Sequence, residues 1–300
     1  MTFVQELSKA VGTVAAASGT AVVGIGRNAR GSGVVVADGQ VLTNAHNLRG
    51  DEVTVTFADG RASRGSVTGV DVDGDLAVVA VDTTGARPIA WGDGASLTVG
   101  SAVFGVAAAV GGAPRVTFGL VSAVARAFRG PGGRRISGSV EHTAPLAPGS
   151  SGGALVDAAG KLVGLNTNRI GEGFYLAIPA DLELKARIAA LGRGESPSRV
   201  RLGVAIAPSH VAARLRRSVG LPERTGILVR GVEDGSLADR AGVEAGDLIV
   251  SAGGREIMDA DDLHEALGTL SQPFELGLVR GADERTATVG ASKDRTPGDA

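Results

Sequence analysis

The 300-residue chain has no cysteine, which excludes disulfides, thiolate metal sites and cysteine nucleophiles. Aromatic residues make up 3% of the chain, too few for the stacking platforms on which single-stranded nucleic acids bind. The charges nearly cancel, because 30 lysines and arginines stand against 32 aspartates and glutamates. A nucleic acid or an anionic membrane is therefore not indicated as a partner.

A long hydrophobic run is also missing. The most apolar early stretch, residues 10–26, is diluted by alanine, glycine, threonine and serine and is too short to span a bilayer. The segment before it carries Glu6 against Lys9, so it lacks the positive start of a signal peptide, although the alanines at 15–17 could imitate a cleavage site. The sequence therefore predicts a cytoplasmic protein, with export to the periplasm or the exterior as the alternative.

Glycine, by contrast, is abundant: 47 of the 300 residues are glycine, which is typical of many tight turns between short strands. Apolar residues recur at spacings of three and four over residues 3–17, which predicts a short amphipathic helix. From residue 21 onward, short β-branched runs alternate with turns, and no crossover helices separate them. This pattern favours antiparallel β-barrels over a doubly wound sheet.

The pattern changes towards the C-terminal third of the chain. Residues 180–192 predict a helix that ends in a glycine, and the polar segment 193–199, which contains a proline, predicts a linker. Short strands and helices alternate over residues 200–290, which indicates a small mixed domain. We therefore expect a first domain over residues 1–192, a second over residues 200–290 and a disordered tail at 291–300.

One serine stands out as a candidate nucleophile. Ser151 lies in Gly149-Ser150-Ser151-Gly152-Gly153, where the glycines allow a sharp turn that can direct backbone N–H groups at one oxyanion. The same residues satisfy G-x-S-x-G, the nucleophile elbow of α/β-hydrolases, but that motif requires a helix after the serine. An apolar strand is predicted there instead, so the α/β-hydrolase alternative is not favoured.

A general base and its carboxylate partner can be found upstream. His46 ends an apolar strand that runs into a small-residue turn, which would hold its imidazole at a barrel edge. Asp75 begins a wholly apolar strand, where a carboxylate is costly to bury unless it accepts hydrogen bonds, and a bond from His46 would satisfy it. Asp71 and Asp73 are competitors, interpreted as solvated residues of a glycine-rich turn. The order His, Asp, Ser fits the chymotrypsin arrangement.

Three motifs in this order resemble a known family. TNAH at 43–46, DGDLAVVAVD at 73–82 and PGSSGGALV at 148–156 resemble the HtrA (DegP-like) serine proteases. RLGV at 201–204 and the stretch at 234–257 resemble the PDZ domain of that family. The resemblance implies a mainly β fold with two six-stranded antiparallel β-barrels of the chymotrypsin type, followed by a small α+β PDZ domain.

The resemblance also implies an activity, a serine endopeptidase that hydrolyses unfolded or damaged proteins through an acyl-enzyme. By this resemblance Ser151 is the nucleophile, His46 the general base and then acid, and Asp75 the carboxylate that orients the histidine. The backbone N–H groups of Gly149 and Ser151 form the oxyanion hole. The alternative is a catalytically silent PDZ-containing chaperone or scaffold.

For the second domain the resemblance implies binding of C-terminal peptides, which would regulate activity. Leu202, Gly203 and Val204 lie in the carboxylate-binding loop, and the strand that continues to Ala207 would add the peptide as an extra strand. The helix at 261–270 would form the other wall of the groove. Members of the family are commonly trimers, so a homo-oligomer is expected here. The N-terminal segment, with Phe3 and Leu7, would supply the contacts of such a trimer.

The chain also departs from the family pattern. Ser150 and Ala154 replace the residues that the family usually has beside the nucleophile, which puts activation and primary specificity in doubt. His142 stands where the family has a threonine and is interpreted as a structural or surface histidine.

No cofactor or metal is expected. The four histidines form no pair at ligand spacing, and neither a P-loop nor G-x-G-x-x-G occurs.

Overall fold

The computed structural model describes residues 2–130, 135–197 and 200–290. They divide into two compact units, residues 1–197 and residues 198–300. The disordered tail predicted at 291–300 lies outside the described residues, as do two residues of the predicted linker.

The first unit begins with a closed barrel in the strand order β1-β2-β3-β6-β5-β4, with every pair antiparallel. Short turns join most of its strands, as the glycine-rich turns of the sequence predict. Its six strands are β1 (Val22–Ile25), β2 (Gly31–Ala37), β3 (Gln40–Thr43), β4 (Glu52–Thr56), β5 (Ala62–Asp71) and β6 (Leu76–Ala80).

A second closed barrel completes this unit, in the order β10-β11-β12-β9-β8-β7, and it is also antiparallel throughout. Its six strands are β7 (Ala102–Ala108), β8 (Pro114–Arg129), β9 (Arg135–His142), β10 (Ala154–Val156), β11 (Leu162–Arg169) and β12 (Tyr175–Pro179).

Strands β1, β2, β3 and β6 of the first barrel are buried on both faces over most of their length, and the alternation of their side chains explains why. Val23 and Val41 point into the barrel and belong to its own core. Their neighbours Val22 and Leu42 belong to a different cluster, which they share with Phe104 and other residues of the second barrel. Because side chains of a strand alternate between faces, the uninterrupted apolar runs of the sequence supply both cores at once.

Two helices accompany the barrels: α1 (Phe3–Ser18) and α2 (Leu182–Gly192). Helix α1 begins with a capping box, in which Thr2 and Gln5 exchange side-chain and backbone hydrogen bonds. Asp181 caps the N-terminus of helix α2, since its carboxylate accepts from the N–H of Leu184 at 2.8 Å. The helix predicted over residues 3–17 is therefore present.

The second unit is a small α+β domain. Five strands form one sheet in the order β13-β14-β15-β17-β18, and β16 pairs with β15. The strands are β13 (Val204–Ala207), β14 (Ile227–Val232), β15 (Leu248–Ala252), β16 (Arg255–Glu256), β17 (Phe274–Arg280) and β18 (Asp283–Val289). The helices are α3 (Ser209–Ser218), α4 (Leu237–Arg240) and α5 (Ala260–Thr269).

The predicted fold class, two six-stranded barrels followed by a small α+β domain, is confirmed. Within the described ranges, no helix has the length and apolar character needed to cross a bilayer.

Candidate active site

The first barrel brings a histidine and an aspartate together by strand pairing. His46 lies in a 3-10 helix of one turn, Ala45–Asn47, which follows the end of β3. Asp75 lies directly before β6, and β3 and β6 pair antiparallel, with Thr43 opposite Ala77. The end of one strand and the start of the other therefore meet at the same barrel edge.

The contact between the two side chains is close. His46 Nδ1 lies 2.9 Å from both carboxylate oxygens of Asp75, and the backbone N–H of His46 donates to Oδ1 at 3.2 Å. The Thr167 hydroxyl, from the second barrel, donates to Oδ2 at 2.7 Å. Asp75 is only 1% exposed, and these hydrogen bonds offset the free-energy cost of removing its carboxylate from water.

This arrangement orients the imidazole. A carboxylate at Nδ1 favours the tautomer that carries its proton there, which leaves Nε2 as the acceptor. The His46 side chain is 36% exposed, so a reacting group can reach it. Asp75 itself has a positive φ of 53°, and the amide of Asn44 holds its carbonyl at 2.9 Å.

The serine loop of the second barrel has a fixed backbone. The Ser150 N–H donates to the Ala147 carbonyl at 3.1 Å, which closes the turn before the serine. Gly149 has a φ of 88°, and a Cβ added there would overlap the carbonyl of Ala29. The Ser32 hydroxyl donates to the Gly149 carbonyl at 2.8 Å and so fixes the orientation of that peptide.

The groups that this loop presents to solvent are less constrained. The Ser151 hydroxyl donates to the Thr167 carbonyl at 2.8 Å, and no hydrogen bond between described residues joins it to His46. The backbone N–H groups of Gly149 and Ser151 have no acceptor among the residues that the structure describes. They are therefore free to meet an oxygen of another molecule.

A cleft of about 160 Å³ opens beside Ser151. Its lining combines the serine loop with the end of β11 and the start of β12. The lining residues are Leu146, Ala147, Pro148, Gly149, Ser150, Ser151, Asn166, Thr167, Asn168, Arg169 and Tyr175.

His142 is a second histidine close to this loop, and it has a different character. It is fully buried, stacks on the ring of Tyr175 at 5.9 Å, and its Nε2 lies 3.0 Å from Asn166 Oδ1. Burial lowers the pKa of His142 to about 4, against a smaller opposing effect of the Asn166 bond. His142 is therefore a buried, neutral histidine at pH 7.

In the second unit, Leu202 and Gly203 directly precede β13, and Val204 is the first residue of this strand. Gly203 has a φ of 78°, and a Cβ there would overlap Ser236. Among the described strands, β13 pairs only with β14 and is an edge of the sheet. Such an edge can accept a further strand.

Asp71, near the site, differs from its predicted environment. Asp71 is 5% exposed and forms an ion pair with Arg187 at 2.6 Å, so its interpretation as a solvated turn residue was wrong. The guanidinium comes from α2, which packs on β5 and β6. Thr167 and Asn47 were missed, because no motif distinguishes them and only the folded chain brings them to the site. Within the described ranges, no group of three or more His, Asp or Glu residues could hold a metal ion.

A double antiparallel barrel with a hydrogen-bonded His46–Asp75 pair and a glycine-flanked serine loop, followed by a domain with an open sheet edge, is typical of a trypsin-like serine peptidase with a PDZ domain. Comparisons with known proteins agree. Residues 31–165 match the trypsin-like peptidase domain family, and residues 228–280 match the PDZ domain family. The chain belongs to the HtrA (DegP-like) family of serine endoproteases, which are hydrolases of the serine type.

Relatives in this family share about a third of the sequence. The serine protease HhoA of Synechocystis sp. is 35% identical over 89% of this chain and 72% of its own length. A relative from Halomonas elongata, named as a periplasmic DegP-like serine endoprotease, is 31% identical over 88% of this chain and 56% of its own length. The chain thus spans little more than half the length of the DegP-like relatives. Because these relatives are named as proteases, they do not favour the alternative of a catalytically silent chaperone or scaffold.

Solved structures show the same architecture. The HtrA-type protease AlgW with a decapeptide is 25% identical, with a TM-score of 0.69 over 93% of this chain and 97% of its own. A serine endoprotease from Yersinia pestis has a TM-score of 0.65 over 93% of this chain and 96% of its own, at 24% identity.

Proposed function

We propose that Ser151, His46 and Asp75 carry out peptide-bond hydrolysis in this protein through an acyl-enzyme. The observation that carries the proposal is the hydrogen-bonded His46–Asp75 pair, which lies beside a serine loop whose backbone is fixed. In the resting geometry the Ser151 hydroxyl donates to the Thr167 carbonyl. Rotation about the Cα–Cβ bond of the serine would redirect this hydroxyl to His46.

In the first step, Ser151 Oγ attacks the carbonyl carbon of the scissile peptide, and its proton passes to His46 Nε2. The Asp75 carboxylate stabilises the imidazolium that forms. His46 then gives the proton to the leaving amine as the C–N bond breaks. In the second step, a water molecule loses a proton to His46 and attacks the acyl carbon. The ester bond to Ser151 Oγ then breaks and His46 returns the proton to this oxygen, which releases the acid and restores Ser151.

Charge on the tetrahedral intermediate requires hydrogen-bond donors. The N–H groups of Gly149 and Ser151 would supply them, since neither has another acceptor among the described residues. The positive φ of Gly149 and the Ser32 bond to its carbonyl support this role, because both fix the loop before the substrate arrives. Such preorganised donors need no rearrangement during the reaction.

The second domain would bind peptides. The N–H groups of Leu202, Gly203 and Val204 would take a terminal carboxylate, and the free edge of β13 would pair with the residues before it. Neighbours solved with peptides, including AlgW with a decapeptide and with a tripeptide, support a peptide ligand. Occupancy of this site would regulate the protease domain.

The physiological setting is part of the same proposal. Unfolded or damaged proteins would be the substrates, and a homotrimer joined by α1 would be the assembly, with Phe3 72% exposed and available for contact. The domains would cover residues 1–192 and 200–290, joined by a linker at 193–199. Relatives named as periplasmic favour the exported alternative over the cytoplasmic one.

Hydrolysis of an unfolded protein tests the catalytic part. The wild-type chain is expected to degrade β-casein, to leave a tightly folded control protein intact, and to lose the activity in Ser151→Ala. Casein cleavage that persists in Ser151→Ala would contradict the assignment of the nucleophile. Peptide binding is tested separately by fluorescence polarisation. A peptide with a free C-terminal carboxylate should bind more tightly than its C-terminal amide, and equal affinity would contradict the proposed carboxylate loop.

A further inference from the structure

Asn47, the residue after the proposed general base His46, makes hydrogen bonds that no sequence motif predicts. Asn47 ends the 3-10 turn Ala45–Asn47 that carries His46, and it is only 3% exposed. Its amide nitrogen donates to the Thr43 hydroxyl at 3.0 Å and to the carbonyl of Ser151 at 2.9 Å. Both amide protons are therefore used, and one of them reaches the proposed nucleophile's own backbone in the other barrel.

These bonds belong to a closed ring. The Thr43 hydroxyl donates to the Ser32 carbonyl at 2.7 Å, and the Ser32 N–H donates to the Ser151 carbonyl at 2.8 Å. The Ser151 carbonyl thus accepts two bonds, one from β2 and one from the turn that carries His46. The ring of Asn47, Thr43, Ser32 and Ser151 joins the first barrel to the serine loop of the second.

The surrounding backbone leaves room for this amide and for little else. A Cβ added at Gly31 would overlap the Asn47 amide group, and a Cβ at Gly152 would lie 3.0 Å from Asn47 Nδ2. Gly152 also has a φ of 84°. The guanidinium of Arg30 holds the carbonyl of Asn47 from outside. The side-chain amide is therefore enclosed by glycines, and the residue is held both through its amide nitrogen and through its backbone carbonyl.

We propose that Asn47 is a positioning residue, which sets the distance between His46 and Ser151 by tethering the turn of the histidine to the carbonyl of the serine. This inference rests on the proposed function. The role depends on donation, since both partners of the amide nitrogen are oxygen acceptors here. In Asn47→Asp the shape is kept, but the donors are lost and a carboxylate oxygen faces the Ser151 carbonyl.

A shift of about 1 Å between catalytic groups can cost about 100-fold in rate. We therefore expect Asn47→Asp to lower kcat per active site by about 100-fold and to leave KM within about twofold. Asn28→Asp is the matched control, because Asn28 is exposed in the turn before β2 and the change of charge is the same. It should keep the wild-type kcat.

The experiment titrates active sites with a fluorophosphonate probe and divides the steady-state peptidase rate by the titrated concentration. A merely structural role would reduce the fraction of sites that titrate but not the rate per site. A rate per site in Asn47→Asp within about threefold of wild type would therefore overturn the inference, while a fall of the expected size with an unchanged KM would support it.

Two further measurements keep the outcomes separate. Asn47→Ala removes both donors without adding charge, and it replaces Asn47→Asp if that variant does not fold. Its rate per site is expected to fall as well, and a wild-type rate there would overturn the inference. Failure of the wild-type chain itself to titrate or to cleave peptides would overturn the proposed function, and the inference with it.

Discussion

The two halves of the proposed active site are held in different ways. In the first barrel, the side chains themselves are fixed: the carboxylate of Asp75 accepts bonds from the His46 ring, from the His46 backbone and from Thr167. In the second barrel, the backbone of the serine loop is fixed, but the Ser151 hydroxyl has only a carbonyl partner. The difference teaches that the fold fixes the proposed base through its side-chain contacts and fixes the proposed nucleophile only through its backbone.

Asp75→Asn tests the fixed half, and we expect the largest effect from it. An amide cannot accept at every position where the carboxylate does, so the imidazole would lose its oriented tautomer. The kcat for a peptide substrate should fall by about 10⁴-fold, as measured by steady-state kinetics at pH 7. A variant with activity within tenfold of wild type would show that the His46–Asp75 contact does not orient the base.

Gly149→Ala tests the backbone of the other half. A Cβ there would overlap the Ala29 carbonyl and would move the N–H proposed to bind the oxyanion. We expect kcat to fall by about 100-fold with a small change in KM. The matched control is Gly85→Ala, at a similar φ of 85° but with no atom within 4 Å of the added Cβ. Equal effects in the two variants would show that backbone strain alone is responsible.

Thr167→Val sharpens the comparison, because Thr167 touches both halves. The change removes the hydroxyl that donates to Asp75 and keeps the carbonyl that accepts from Ser151. Loss of one hydrogen bond to a charged group should lower kcat by about tenfold. An unchanged kcat would mean that the remaining bonds to Asp75 suffice to hold the pair.

His142→Gln should have the smallest effect on activity, and it tests stability instead. The pKa of His142 is lowered from 6.5 to about 4 by burial, so the unfolded chain binds a proton there that the folded chain does not. The contribution of the neutral His142 to the free energy of unfolding is therefore fully present above pH 6.5 and is lost as the pH falls towards 4. The shift corresponds to about 3 kcal/mol at the acid end.

Glutamine keeps a donor for Asn166 but does not titrate. The free energy of unfolding of His142→Gln, measured with urea at several pH values, should therefore decline less between pH 6.5 and pH 4 than that of the wild type. His210→Gln is the control, because His210 is exposed on α3. Parallel declines in His142→Gln and wild type would contradict the role given to His142.

Much of this architecture could be predicted from the sequence, because alternation and glycine turns are local signals. The two barrels and helix α1 depend on patterns within a few residues, and the contact of His46 with Asp75 follows from motifs. The errors concern partners that are distant in the chain. Asp71 meets Arg187 across 116 positions, and Asn47 meets Ser151 across 104, so only the packing of α2 and of the second barrel reveals them.

The central claim is that Ser151 is an activated nucleophile. The most direct measurement is reaction of the full chain with a fluorophosphonate, followed by digestion and mass spectrometry of the labelled peptide. We expect one adduct, on Ser151, and no adduct in Ser151→Ala or after heat denaturation. Labelling of a different serine, or labelling that survives in Ser151→Ala, would contradict the account.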